Sequence, residues 1–300
     1  MTPPLLRDSG LVGAPQVLGN TISLIPMLKS VLVDGFGSYP GLGWTAPFQD
    51  ANNLVLKNAS NKFFKINELV TTYAPTIIGY ETMSDINTGS GRIPGGDGSS
   101  TYYYLNKSSI LNSTVRPWII IGDSYGVWII TYTTETSLTP STNYNINVNY
   151  IGDFIPFDTS DQWMSGIISC TSSSISSSNF ASTVYSWTTA VTGHKLFRKY
   201  DGVTKDFTFG INNIIQNAPG NTGISSLMSG LQFWIKPILT EGISSKPFGY
   251  IPGLYYSIYD YTLFTHRQII TDSGKDFFPI IFYGANTKSL MFIDFTGDFR

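Results

Sequence analysis

Two apolar runs, Trp118-Ile119-Ile120-Ile121 and Val127-Trp128-Ile129-Ile130, flank the short polar stretch Asp123-Ser124-Tyr125-Gly126. Short apolar runs on either side of a turn predict the two strands of a β-hairpin, at 118–122 and 127–133. The same pattern of short extended runs predicts strands at 53–58, 63–67, 76–81 and 102–106. Later runs predict strands at 166–170, 194–200, 231–238, 279–283 and 290–295. Residues 143–150 alternate, with Tyr144, Ile146, Val148 and Tyr150 on one face and Asn on the other. Strict alternation predicts a half-buried strand whose asparagine face meets solvent or a partner.

Helical periodicity is confined to one stretch. Leu24, Leu28 and Leu32, joined by Ile25 and Val31, form an apolar face that opens after Ser23 and stops at Asp34-Gly35. Ser23 fits the N-cap, Pro26 falls where its missing N–H does no harm, and Gly35 suits a left-handed terminus. A second short helix is expected near 211–216. Before Ser23, the density of Pro and Gly (Pro3, Pro4, Gly10, Gly13, Pro15, Gly19) predicts an extended arm over residues 1–19 that lies outside the core. Its removal is expected to leave the fold intact. Residues 20–300 then form a β-rich unit, with a Ser-rich loop at 171–183 as a place where it could divide. The fold class predicted is mainly β with one or two short helices, built as sandwich-like antiparallel sheets.

Composition narrows the function. Charged residues make up 13% of the chain, about half the usual share, while aromatics reach 14%. A surface so poor in charge suits a chain that stays in a permanent assembly. The net charge of −2 and the lack of any basic run argue against nucleic-acid binding by phosphate neutralisation. Cys170 is the single cysteine, which excludes an internal disulfide and a cysteine-based zinc site. No apolar run reaches the ~20 residues that span a bilayer, so no membrane insertion is expected. Residues 1–8 lack the charged and apolar regions of a signal peptide, so synthesis in the cytoplasm is expected and the sequons at Asn58, Asn106 and Asn112 carry no meaning.

Gly122-Asp123-Ser124 resembles the nucleophile block of GDSL esterases, but a lone serine needs a positioned base. Those enzymes carry Asp-x-x-His late in the chain, whereas His266 is preceded three residues earlier by Leu263. A turn is expected instead. The clusters Gly35–Gly43 and Gly89–Gly98 lack the surroundings of dinucleotide or phosphate loops and are read as flexible loops. His194 and His266 form no close pair, and Asp158-x-x-Asp161 and Asp294-x-x-x-Asp298 lack calcium-loop spacing. Glu81, Asp85 and Asp123 are the carboxylates that could serve a glycosidase, with turn or hydrogen-bond roles preferred. Tyr102-Tyr103-Tyr104 and Tyr255-Tyr256, near Tyr259 and Tyr261, suit the core or, where exposed, glycan or protein contacts. No catalytic, cofactor-binding or metal-ligating residue is assigned.

Several ordered blocks resemble structural proteins of tailed bacteriophages and prophages. They are Gly13-Ala14-Pro15-Gln16, Leu32-Val33-Asp34-Gly35-Phe36-Gly37-Ser38, Gly43-Trp44-Thr45-x-Pro47-Phe48, Gly79-Tyr80-Glu81-Thr82-Met83-Ser84-Asp85, Thr88-Gly89, Lys107-Ser108-Ser109, Arg116-Pro117-Trp118, Gly122-Asp123 and Pro252-Gly253-Leu254-Tyr255. The stretch 131–245 matches less well. The resemblance implies a non-enzymatic virion component of the tail, baseplate or neck. Its partners would be other virion proteins and copies of itself, and it would need no cofactor. In the resembling family the block after Arg116-Pro117-Trp118 reads as strand–turn–strand and requires no serine after Gly122-Asp123. The rival expectations are a receptor-binding module for host surface glycans on a fibre or tail tip, and a glycan-degrading hydrolase.

Overall fold

The computed structural model describes residues 3–139, 146–160, 164–169, 194–198, 205–208, 210–212, 234–241, 246–257, 263–283 and 288–296. Strands dominate, in antiparallel sheets, with one short helix among the described residues. The middle layer is a seven-stranded sheet. Its order is Leu5–Asp8, Trp118–Gly122, Gly126–Tyr132, Ile146–Asp153, Ser165–Ile168, His194–Arg198 and Lys205–Thr208. The two apolar runs form its hairpin, with Ile120 opposite Ile129 and Ile121 opposite Trp128.

Alternate residues of these strands serve two different cores. Ile119, Ile121, Trp128, Ile130, Val148 and Tyr150 pack against Phe278, Ile280, Met291 and Ile293. Those partners belong to a C-terminal sheet ordered Trp234–Ile235, Leu254–Ser257, Lys288–Asp294, Lys275–Tyr283 and Ile270–Asp272. Trp118, Ile120, Val127, Ile129 and Ile151 face the other way, against Leu54, Leu56, Phe64, Ile66 and Ile77. That second wall is the N-terminal sheet Thr45–Gln49, Asn53–Lys57, Phe63–Asn67, Thr76–Tyr80 and Tyr103–Tyr104, together with the helix. A sheet covered on both faces needs apolar residues at every position, which is why these strands read as unbroken apolar runs.

The helix runs Leu24–Lys29 and widens into a π-helical turn over Ser30–Asp34, ending at Gly35 with φ 85°. Its stop is therefore where the sequence puts it. Its start is made differently. Ser23 occupies the N-cap position, but its hydroxyl turns back to Leu18, accepting from the Leu18 N–H at 2.9 Å and donating to the Leu18 carbonyl at 3.0 Å. Glu68 does the capping: it accepts from the N–H groups of Ser23 (3.0 Å), Leu24 (3.1 Å) and Ile25 (2.8 Å). Pro26 supplies no N–H, so the carboxylate meets each donor of the opening turn that needs it.

Four expectations are corrected. Residues 3–19, the described part of the expected arm, belong to the fold. Leu5–Asp8 is the edge strand of the central sheet, paired with Trp118–Gly122. Val17–Leu18 pairs with Val115–Arg116, Val17 is fully buried, and the Trp118 indole N–H donates to the Pro15 carbonyl at 2.8 Å. Four residues of strand between Pro4 and Gly10 are too short for a periodic signal. The asparagine face of Ile146–Asp153 is not open: Asn147 and Asn149 are 2% and 1% exposed. They lie on the side of the N-terminal core, and the Asn149 amide donates to the Asn147 side-chain oxygen at 2.6 Å. Tyr144 lies outside the described residues. Finally, the helix expected near 211–216 is replaced at its start by the strand Gly210–Asn212, paired with Ile238–Glu241, and 213–216 lie outside the described residues. Pairing across a sheet overrides a weak local preference. Pro237 splits the strand expected at 231–238 into Trp234–Ile235 and Ile238–Glu241. The Ser-rich stretch 171–183 and Cys170 lie outside the described residues.

Candidate functional site

Gly122-Asp123-Ser124 is the turn of the central hairpin. The Asp123 carboxylate accepts from the N–H groups of Tyr125 (2.8 Å) and Gly126 (3.0 Å), while the Asp123 N–H donates to the Gly126 carbonyl at 3.0 Å. A neighbouring turn clamps it from outside. The Trp44 indole donates to the Asp123 carbonyl at 2.7 Å, the Ala59 N–H donates to the Ser124 carbonyl at 2.8 Å, and the Asn58 amide donates to the Tyr125 carbonyl at 2.9 Å. The same Asn58 amide reaches Asp153 at 3.0 Å. Aspartate closing its own turn through the following N–H groups is the ordinary reason for that residue there.

The histidine that a serine mechanism would need is elsewhere. His266 is 5% exposed; its Nε2 sits 2.5 Å from the Tyr132 hydroxyl, and its Nδ1 accepts from the Ile281 N–H at 2.9 Å. Tyr132 ends the strand Gly126–Tyr132 that begins beside Ser124. At about 3.3 Å per residue, that strand separates serine from histidine by roughly 20 Å. Ser124 and His266 are not brought together. Burial, followed by the nearby Arg267 charge, lowers the His266 imidazole to about 3, so it is held neutral.

The carboxylates named from sequence are each occupied locally. Asp85 is exposed and accepts from the N–H groups of Asn87 (2.7 Å) and Thr88 (2.9 Å). The Asn87 N–H, as the largest influence, holds Asp85 below the usual carboxylate range, which ill suits a general acid. Glu81 is buried against Gly91, where an added Cβ would stand 2.6 Å from its carboxylate oxygen. Asp158 accepts from the Ser160 N–H at 2.9 Å, and Asp294, fully buried, accepts from Lys275 at 3.1 Å. Asp161 and Asp298 lie outside the described residues. Among the described residues no group of three or more His, Cys, Asp or Glu is placed to share a metal ion. None of the described helices is long and apolar enough to cross a membrane.

Both glycine clusters are built rather than loose, which corrects that expectation. Gly41 lies so close to the Val33 carbonyl that a Cβ would stand 2.2 Å from it. In the second cluster Gly89–Ser90 pairs with Thr82–Met83, and Ile93 is fully buried. Arg92, 4% exposed, organises the rest: its guanidinium donates to the carbonyls of Pro94 and Thr101, and its N–H donates to Asp97 at 2.8 Å. The tyrosine triplet splits by alternation. Tyr103 is 1% exposed in the core, whereas Tyr102 is 37% exposed with its ring 5.5 Å from the Arg92 guanidinium carbon. In the second group Tyr255 is half-buried beside Lys275, whose ammonium donates to its hydroxyl at 3.2 Å. Tyr259 and Tyr261 lie outside the described residues.

The most heavily used polar side chains are ones that sequence reasoning missed. Lys107 and Glu68 are both fully buried and 2.5 Å apart, and the ammonium also donates to the Thr21 carbonyl. Arg116, 4% exposed, donates from Nε to the Ser108 hydroxyl at 3.2 Å and from its terminal nitrogen to the Thr134 carbonyl. The Thr131 hydroxyl donates to the Asn106 carbonyl at 2.5 Å. A charge such as Lys107, alone between Asp97 and Arg116 in an uncharged stretch, was the available signal. These groups join the N-terminal sheet, the helix and the central sheet, and their geometry is that of structural ties. No protein-family model matches the chain, and no curated protein matches it.

Proposed function

We propose that this chain is a non-enzymatic structural component of a tailed-phage virion, made in the host cytoplasm and assembled in several copies with other virion proteins in the tail, baseplate or neck. One observation carries the reading: the sequence blocks that resemble phage structural proteins are the ones that interlock in the fold. Trp44 of one block holds Asp123 of another. Ser108 of the Lys107-Ser108-Ser109 block holds Arg116 of the next, and the Phe36 ring of the Leu32–Ser38 block meets Trp118 edge-on, with ring centroids 6.2 Å apart. A resemblance concentrated in such ties is a resemblance of scaffold. The low charge content and the hairpin role of Gly122-Asp123-Ser124 support the same reading. The test is mass spectrometry of gradient-purified particles from cells expressing the chain. Stoichiometric recovery with the particle peak is expected; recovery in the soluble fraction alone would contradict it.

A second reading, a module binding host surface glycans, is favoured by Tyr102. Its ring is exposed above a buried guanidinium on a well-organised loop, an arrangement suited to stacking on a sugar. Glycan-array binding abolished by Tyr102→Ala would favour it. Tyr103→Ala is no test, because Tyr103 is core.

A further inference from the structure

Among the described residues, polar ties join the C-terminal sheet region to the central sheet at Pro252, which accepts from the Trp128 indole, and in the segment around His266. The imidazole spans the two layers: Tyr132 belongs to a central strand, and Ile281 to Lys275–Tyr283 of the C-terminal sheet. Because Nδ1 accepts the Ile281 N–H, it bears no proton, and the neutral ring carries its hydrogen on Nε2, facing the Tyr132 oxygen. The Tyr132 hydroxyl in turn lies 3.3 Å from the Leu138 carbonyl. The next residue continues the connection. The Arg267 N–H donates to the Pro279 carbonyl at 2.9 Å, and its guanidinium pairs with Asp8 of the edge strand at 2.6 Å. The described titratable and charged groups around the imidazole are therefore Tyr132 from the central sheet, Arg267 from its own segment, and Asp8 beyond Arg267. Lys275–Tyr283 presents it a backbone N–H.

We propose that His266 is an acid-sensitive latch, a single protonation of which releases the C-terminal sheet from the central sheet. A second proton on the ring would sit on Nδ1 and face the Ile281 N–H, donor against donor. It would also place a cation, 5% exposed, beside the Arg267 guanidinium. The buried imidazolium would have no room to be hydrated, so the proton is taken up by the opened state, in which the ring reaches water. The neutral imidazole in the closed state, lowered to about 3 from an ordinary 6.5, agrees with this geometry.

Amide hydrogen exchange at Ile281 tests the latch, after correction for the intrinsic pH dependence of exchange. Between pH 7 and pH 5 the opening constant of the wild-type protein should rise about 25-fold, one proton being gained on opening. His266→Gln keeps one acceptor and one donor and cannot be protonated, so its opening constant should change less than twofold. A wild-type change below twofold, or an equal rise in H266Q, would overturn the proposal. Should H266Q not fold, the imidazole resonances of the wild-type protein decide. A neutral ring with its proton on Nε2 at pH 5 supports the latch, and a titration midpoint near 6.5 overturns it.

Discussion

The two faces of the central sheet are held by different physics. Toward the N-terminal sheet, apolar packing is interrupted by a set of buried polar groups: Glu68, Lys107, Arg116, Asn106, Thr131, Asn147 and Asn149 are each 4% exposed or less. Toward the C-terminal sheet, the contact is Trp128, Tyr150, Ile130 and Val148 against Phe278, Ile280, Met291 and Ile293, with the ties at Pro252, His266 and Arg267. Apolar burial is strong but tolerant of sliding; buried ions and amides tolerate a single partner arrangement. The N-terminal face is thereby locked in register. The C-terminal face combines generic adhesion with a few polar ties, the titratable His266 among them, and so it is the side that conditions can loosen.

The largest expected effect comes from the strand both faces share. Leu5–Asp8 sends Arg7 over Tyr39 on one side and Asp8 to Arg267 on the other. Deleting residues 1–19 would uncover the edge Trp118–Gly122 and remove Val17 from the core. Loss of a cooperative thermal transition is expected, measured by circular dichroism. A truncated protein that unfolds cooperatively near the wild-type temperature would restore the idea of a separate arm.

Next comes the ion pair on the locked face. Glu68→Gln leaves the Lys107 ammonium buried without its counter-charge and should cost about 3–5 kcal/mol in denaturant unfolding. Replacing both partners with apolar residues often rescues a buried pair, but here it should not, because the N–H groups of Ser23, Leu24 and Ile25 would still lose their acceptor. A double variant Glu68→Leu/Lys107→Met of wild-type stability would show that the pair does not cap the helix.

Acid should act on the other face, and more gently over the mildly acidic range from pH 7 to pH 5. The His266 value is lower folded, about 3, than unfolded, 6.5, so the unfolded chain takes up the proton first. Its stabilising contribution is full above pH 6.5 and falls by about 1.4 kcal/mol per pH unit toward pH 3. Urea midpoints of H266Q, compared with wild type across this range, isolate that share. The smallest effect is expected at the turn: Ser124→Ala removes a hydroxyl that the turn does not use and should shift stability by less than ~0.5 kcal/mol. A large change there would reopen the question of what the serine does.

What could be read from sequence follows the same division. The hairpin strand Trp118–Gly122 and the strand Phe63–Asn67 were legible to the residue, since contiguous apolar runs and turn residues report burial locally. The helix stop at Gly35 was legible for the same reason. The helix start was not, because its cap, Glu68, comes from more than forty residues downstream while Ser23 bonds backward. Asn147 and Asn149 misled because alternation signals two environments without saying that the polar one is open water. Of the candidate chemistry, the turn role of Asp123 was legible from its neighbours. The remoteness of His266 from Ser124 was foreshadowed by the missing Asp-x-x-His, though the contact with Tyr132, 134 residues away, was not.

The central claim, a scaffold inside a particle, is most directly tested by cryo-electron microscopy of intact virions. The account predicts density for this chain buried among neck, tail or baseplate subunits in several symmetry-related copies. Density confined to an exposed fibre tip, or absent from the mature particle, would contradict it.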